Sequence, residues 1–268
     1  MFLLVKFIRK FLFFILNNYQ RYKLKEMKLN KVKKKYLCAV VGLGKIGLDY
    51  DLYKKDYIQT HSKALFKSKD WSLICGVDIK KNKLKVFNKN YKKRIFKSLS
   101  ELKNAKLNID LFVISTPTKY HYKNFIYIID HFRPKAIVCE KPVSFKFKEV
   151  EKVVNYSRKK KIKFCVNFIR RSDQNFINLK DKIKKKKEKF HGKIFYDKEF
   201  YHSCSHYINL MNFWFGKYKG HKTLKIYKKN SFDSKLDVVV KFENAEITFL
   251  STKNKTKKEF ILKSKSSN

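Results

Sequence analysis

Only seven glycines occur in 268 residues, and three of them fall in VVGLGKIGLDYD, at Gly42, Gly44 and Gly47. A G-x-G-x-x-G turn that closes an apolar run is suited to holding phosphate. The first glycine permits a tight turn, the second lets the backbone approach a pyrophosphate, and the third lets a helix pack close to the strand. Lys45 and Ile46 fill the turn between them, and backbone N–H groups at a helix start face the anion. A second apolar run, WSLICGVDI, ends in Asp78. A carboxylate there accepts from ribose hydroxyls and repels a 2′-phosphate, which favours NAD; NADP is not excluded, because Lys80 and Lys81 follow. The same aspartate can also cap the next helix.

Other chemistry-bearing residues lie further along. Two of the three prolines, Pro117 in STPTKYH and Pro142 in CEKP, close apolar runs, and ligands bind at the strand C-terminal edge of an open α/β sheet. VNFIRRSD holds two of the seven arginines, Arg170 and Arg171, near Asn167. Such groups suit sugar hydroxyls or a nucleotide phosphate, or simply form an exposed basic turn. His202, Cys204 and His206 have ligand types found at zinc sites. On one helix only the two histidines share a face, so proton transfer is favoured and no metal site is expected.

These residues require strands that end beside one another. LCAVVGLG, WSLICGVDI, IDLFVISTP and AIVCEKP are apolar runs that predict buried parallel strands. KKNKLKVFNKNY, SLSELKNAK, HYKNFIYIIDHF and a stretch near Thr60 to Lys69 predict helices between them. Strands alternating with helices predict an α/β domain with a doubly wound parallel sheet over residues 36–145. FKEVEKVVNYSRKKK is helical in pattern and FCVNFIRRSD begins as a strand. KIFYDKEFY then predicts a strand, SHYINLMNFWFG a helix, and TLKIYKKN, KLDVVVKFE and AEITFLST further strands, with ENAE as a hairpin turn. Residues 146–268 are therefore expected to form an α+β domain with a mainly antiparallel open sheet. The lysine-rich run 180–189 predicts an exposed helix face or loop.

The formal net charge is +44. Charge of that size is common in nucleic-acid binders. Here the cations are 59 lysines and only 7 arginines, spread along the chain. Arginine is the better reader of phosphate and guanine edges. A solvated lysine surface is expected, with no specific nucleic-acid partner. Cys38, Cys75, Cys139, Cys165 and Cys204 are odd in number and form no CxxC, which fits a reducing, cytoplasmic setting. MFLLVKFIRKFLFFIL is interrupted by Lys6, Arg9 and Lys10. It falls short of the roughly 20 apolar residues of a membrane span, and no small-residue cleavage site follows. Residues 1–35 are expected to be a basic, apolar extension, with folding from near Met27; an interfacial helix is the other reading.

A GxGxxG strand, then TPxxxH, then EKP, then a distal histidine-bearing helix together resemble the glucose–fructose oxidoreductase / inositol dehydrogenase family (Gfo/Idh/MocA), over roughly residues 36–250. The resemblance implies an NAD-dependent enzyme that moves hydride between a secondary alcohol of a sugar, or nucleotide-linked sugar, and nicotinamide. It implies that Thr116 and Pro117 line the nicotinamide, with His121 nearby, and that Glu140 touches the nicotinamide ribose. It makes Lys141 the substrate-facing lysine, His206 the general acid/base, and VNFIRR, with Asn167, Arg170 and Arg171, the substrate side. Two positions depart from the family pattern. His202 stands where an aspartate is usual, and Asn209 stands where another is. His202 is then expected to share the proton role and Asn209 to hold a hydroxyl; the alternative is a binding module that has lost turnover. The resemblance also implies a homo-oligomer and a place in making surface polysaccharide sugars; a further departure from the family is length, and a shortened second domain is expected.

Overall fold

The apolar runs that end in glycine or proline become neighbouring strands. The computed structural model describes residues 35–54, 57–186, 188–229, 233–252 and 260–265. The expected N-terminal extension lies outside the described residues apart from Lys35. Among the described residues no helix is long and apolar enough to cross a membrane. The chain divides into two units, with the change between Asn167 and Phe168.

The first unit is built on a six-stranded sheet. Its strands are β1 (Tyr36–Val41), β2 (Trp71–Val77), β3 (Arg94–Phe96), β4 (Leu111–Ile114), β5 (Ala136–Cys139) and β6 (Lys163–Val166). All pairings are parallel, in the order β3-β2-β1-β4-β5-β6. That is the order of a doubly wound dinucleotide-binding sheet. The connecting helices are α1 (His61–Lys67), α2 (Lys81–Tyr91), α3 (Leu99–Asn104), α4 (His121–Phe132) and α5 (Phe147–Lys159). α2 to α5 present apolar stripes at helical spacing. In α4 the stripe is Phe125, Ile128 and Ile129, and in α5 it is Val150, Val153 and Val154, all buried. β4 is buried at every residue, as expected of a strand covered on both faces.

The second unit carries a five-stranded sheet of β7 (Lys189–Tyr196), β8 (Tyr218–Lys229), β9 (Ser234–Phe242), β10 (Ala245–Ser251) and β11 (Phe260–Lys265), in the order β11-β7-β10-β9-β8. Helices α6 (Gln174–Lys186) and α7 (Phe200–Phe215) belong to it. Phe200, Cys204, Ile208, Met211 and Phe215 of α7 are fully buried and join Val238, Val240, Ile247 and Phe249 of the sheet in one core. Each large apolar side chain in such a core stabilises by about 1.5–3 kcal/mol.

Several sequence expectations change here. β6 joins the parallel sheet, so the first unit extends beyond residue 145, to Asn167. The second sheet is mainly antiparallel, as expected, with β7 and β10 as its one parallel pair among the described residues. The strand expected in KIFYDKEFY ends at Tyr196, and α7 begins at Phe200, five residues before the expected helix start. β3 and β11 were not expected at all.

Candidate functional site

The three glycines occupy three different environments. Gly42 has φ +98°, and a Cβ there would meet the Thr116 nitrogen at 2.5 Å. A Cβ on Gly47 would meet the Gly42 carbonyl oxygen at 2.0 Å. Both positions are closed by backbone. A Cβ on Gly44 would meet nothing within 4 Å. The turn is locked by its neighbours: the Gly42 N–H donates to the Val77 carbonyl at 2.8 Å, and the Ser115 hydroxyl donates to the Gly42 carbonyl at 2.7 Å.

Asp78 stands at the end of β2 and takes part in the same lock. One carboxylate oxygen accepts from the Leu43 N–H at 2.7 Å and the other from the Lys80 N–H at 2.8 Å. Four lone-pair positions exist on a carboxylate, so two further donors, such as ribose hydroxyls, can still be accepted. An open Gly44, two closed flanking glycines and an acid at the neighbouring strand end fit an adenine dinucleotide.

Directly after the glycines stands a five-residue π-helical turn, Lys45–Asp49, which contains Lys45 and Ile46. A polar insertion follows, and it is held from inside. Asp51 is 0% exposed. Its carboxylate accepts from the Gln59 N–H at 2.5 Å, the Thr60 N–H at 2.8 Å and the Thr60 hydroxyl at 2.7 Å. Burial pushes this carboxyl up, but those donors outweigh it and hold it below the usual carboxylate range. Thr60 caps α1, and the Ser62 hydroxyl donates to the Gly47 carbonyl at 2.6 Å. The insertion thereby returns α1 to the glycine turn.

This return delivers a residue that sequence reasoning missed. His61 Nε2 lies 2.8 Å from Glu140 Oε1, which also accepts from the Asn167 amide at 2.6 Å. Burial raises the Glu140 carboxyl, and the His61 and Asn167 bonds more than reverse that, so it stays ionised below the ordinary range. The only sequence signal was Thr60 as an N-cap. Which strand end His61 faces depends on sheet order. Glu140 and Asn167 thus meet at the ends of β5 and β6. Lys141 follows, and its peptide bond to Pro142 is cis.

His121 is 1% exposed. Its Nδ1 lies 2.9 Å from the Pro142 carbonyl and its Nε2 2.6 Å from the Thr116 carbonyl. The imidazole joins the TP and EKP turns, so its observed place is between backbones. Asn124 of α4 donates to the Thr116 hydroxyl at 3.1 Å. Burial holds His121 below its ordinary value of 6.5, against the pull of both carbonyls and Glu140. A histidine depressed in the fold favours the unfolded chain when it is protonated. The first unit should keep full stability above about pH 6.5 and lose it as pH falls further. Thermal melts at about pH 7 and pH 5 test this: His121→Gln should melt lower but with a flatter pH dependence than wild type, and equal slopes would refute it.

The second unit's residues lie on α7 and the turn before α6. His202 is exposed and His206 partly buried. The His206 ring packs edge-on against Phe168 at 5.9 Å between centroids. Asn209 is 1% exposed, and neither its amide nitrogen nor its amide oxygen has a hydrogen-bond partner among the described residues. Ser205 and Asn212 flank it on the same face, buried as well, each with an oxygen in the same condition. Sequence reading missed both, since an amphipathic pattern registers Ser and Asn as solvent-facing. Arg170 and Arg171 are not exposed turn residues. Their guanidiniums stand over Tyr207 at 4.3 Å and Phe213 at 4.5 Å.

Among the described residues no group of three His, Cys, Asp or Glu could hold a metal ion. Burial pushes the Cys38 and Cys75 thiols up to about 12, and a thiol in that state is a poor nucleophile.

The family model described as an oxidoreductase family with an NAD-binding Rossmann fold matches residues 36–168. No curated protein sequence matches the chain. Solved structures do match in fold. A protein described as an oxidoreductase, yvaA from Bacillus subtilis, superposes with a TM-score of 0.71 at 16% identity, over 88% of this chain and 69% of that one. The WlbA dehydrogenase from Chromobacterium violaceum, solved with NADH and UDP-GlcNAcA, gives 0.69 at 19% identity, over 87% and 72%. An oxidoreductase from Agrobacterium radiobacter, solved with NAD+, L-tartaric acid and magnesium, gives 0.66 at 14% identity, over 85% and 71%.

Proposed function

Residues 36–168 belong to the Gfo/Idh/MocA oxidoreductase family, and we propose that the chain uses that NAD-binding fold to oxidise or reduce a secondary alcohol of a sugar or nucleotide-linked sugar. The observation that carries this reading is the asymmetry of the glycine turn. Two glycines are closed by backbone and the middle one is open, which is what a pyrophosphate needs. Asp78 would hold the adenosine ribose and Glu140 the nicotinamide ribose, with Thr116 and Pro117 beside the ring.

In the alcohol-oxidising direction a bound nicotinamide would supply the hydride acceptor. Lys141 would hold the hydroxyl oxygen and lower the cost of the charge that develops on it. His206 would take the hydroxyl proton, a task suited to an imidazole near neutral pH. His202 would share in proton movement at the exposed end of that face. The Asn209 amide supports a polar ligand, because leaving both its atoms unpaired in a buried place costs about 1–3 kcal/mol each. Arg170, Arg171 and Asn167 would contact the substrate. The nucleotide-sugar class is supported by the ligand of the WlbA structure and by the Arg170 and Arg171 guanidiniums that stand against Tyr207 and Phe213 of α7.

A second reading follows from His202 and Asn209, which replace aspartates of the family pattern: a nucleotide-binding homologue without turnover. Titration of the protein with NADH and with NADPH, followed by nicotinamide fluorescence, tests the shared premise. Saturable binding that prefers NADH is expected. A subsequent panel of sugars and nucleotide sugars separates the two readings, and binding of neither cofactor by folded protein would overturn both.

A further inference from the structure

Helix α7, which carries His202, His206 and Asn209, has no cap of its own. Its N-cap residue is Glu199, whose side chain makes no capping bond, although its carbonyl accepts the first intrahelical bond from Ser203 at 3.0 Å. In an ordinary cap the N-cap side chain takes the N–H of the second or third helical residue. Here those residues are Tyr201 and His202, and both N–H groups donate to one distant carboxylate. Tyr201 donates to Asp233 Oδ1 at 2.8 Å and His202 to Asp233 Oδ2 at 2.9 Å. The Ser234 N–H adds a third bond, to Oδ1 at 2.8 Å.

Asp233 lies directly before β9 and is 8% exposed. Its charge stands against the positive end of a sixteen-residue helix. Burial raises its carboxyl above the ordinary range while the three N–H donors oppose the rise. The ion depends on the helix as the helix depends on it.

We propose that Asp233 is a positioning residue: it fixes the first turn of α7 from β9 and so sets where the His206 imidazole stands. The link to catalysis rests on the reading of His206 as proton acceptor, but the cap does not. Fixing two consecutive N–H groups with one charged, buried acceptor removes fraying just where the helix begins, and His206 follows one turn later.

Amide hydrogen exchange on the full chain tests the cap. Asp233→Ala should speed exchange at Tyr201 and His202 roughly ten-fold, the size of effect expected from losing a strong cap. It should also move the His206 ring-proton resonances, while exchange in the first unit stays unchanged. Adding Glu199→Asp, which puts a cap-length carboxylate in the N-cap position itself, should restore both signals. Unchanged exchange at Tyr201 and His202 in Asp233→Ala would overturn the cap. Faster exchange with His206 resonances unmoved would overturn the positioning role. If both signals respond as expected but His206→Asn leaves turnover on the sugar panel unchanged, the positioning stands and the proton-acceptor reading fails.

Discussion

Gly44→Ala should melt as the wild type does and lose NADH, whereas Gly47→Ala should lose the fold's stability first. At Gly44 the backbone has φ −79° and ψ −158°, which alanine adopts freely, and its new methyl would meet no protein atom within 4 Å. Removing a glycine from such a position is neutral or stabilises by about 0.4–1 kcal/mol. The methyl would fill the space that a pyrophosphate needs, so NADH affinity should fall at least ten-fold, about 1.4 kcal/mol. At Gly47 the methyl would stand 2.0 Å from the Gly42 carbonyl oxygen and 3.0 Å from the Ser115 hydroxyl. The closer of these contacts is to backbone, which cannot swing aside as a side-chain tip can. A destabilisation of about 3 kcal/mol is the scale of severe overpacking, and in a chain of this size it lowers the melting temperature by roughly 6–12 °C. Paired thermal melts and fluorescence titrations decide. NADH bound by Gly44→Ala with wild-type affinity would mean that the open space is not where a dinucleotide lies.

Lys141→Ala is the second large effect. Loss of one donor aimed at a developing oxyanion lowers kcat about 10²–10³-fold, while the dissociation constant for NADH should move less than about three-fold, because the glycine turn and Asp78 remain. The check is initial-rate kinetics on whichever alcohol the sugar panel yields, beside an NADH titration of the same sample. Retention of a third or more of wild-type kcat would remove Lys141 from the reaction. Arginine should not rescue it well, since a planar fork does not replace a compact ammonium at a single oxygen.

Much of the first unit was legible in the sequence because buried parallel strands write themselves as short apolar runs. Glycine and proline mark where those runs stop, and a doubly wound sheet gathers the stops on one edge. Hence Gly42, Asp78, Pro117 and Pro142 could be placed together from pattern, while Thr116 and Glu140 came from the family resemblance. β3 was not legible: it is three residues long, begins with the exposed Arg94, and has no pattern without β2 beside it. His61 was hidden by the insertion, since it is the Asp51 bonds and the Ser62–Gly47 bond that bring α1 back to the glycine turn. The start of α7 was hidden for a related reason. A helix start is recognised from a nearby capping side chain, and here the cap comes from Asp233, more than thirty residues later. Arg170 and Arg171 look like solvent cations in one dimension, because the rings that receive them lie on α7.

The mixed pairing of the second sheet sets a timetable for synthesis. β7 has only two neighbours, β10 and β11, and both are translated after β8 and β9. Everything in the first unit precedes Phe168, so that unit can fold while the rest is still being made. β7, by contrast, emerges with both edges bare and waits about fifty residues for its first partner. Over that interval it offers unpaired N–H and C=O groups to any other strand in reach. The nascent chain is most vulnerable to misassembly in that window, and a slow final closure of the second unit, after a fast first one, is what its topology demands.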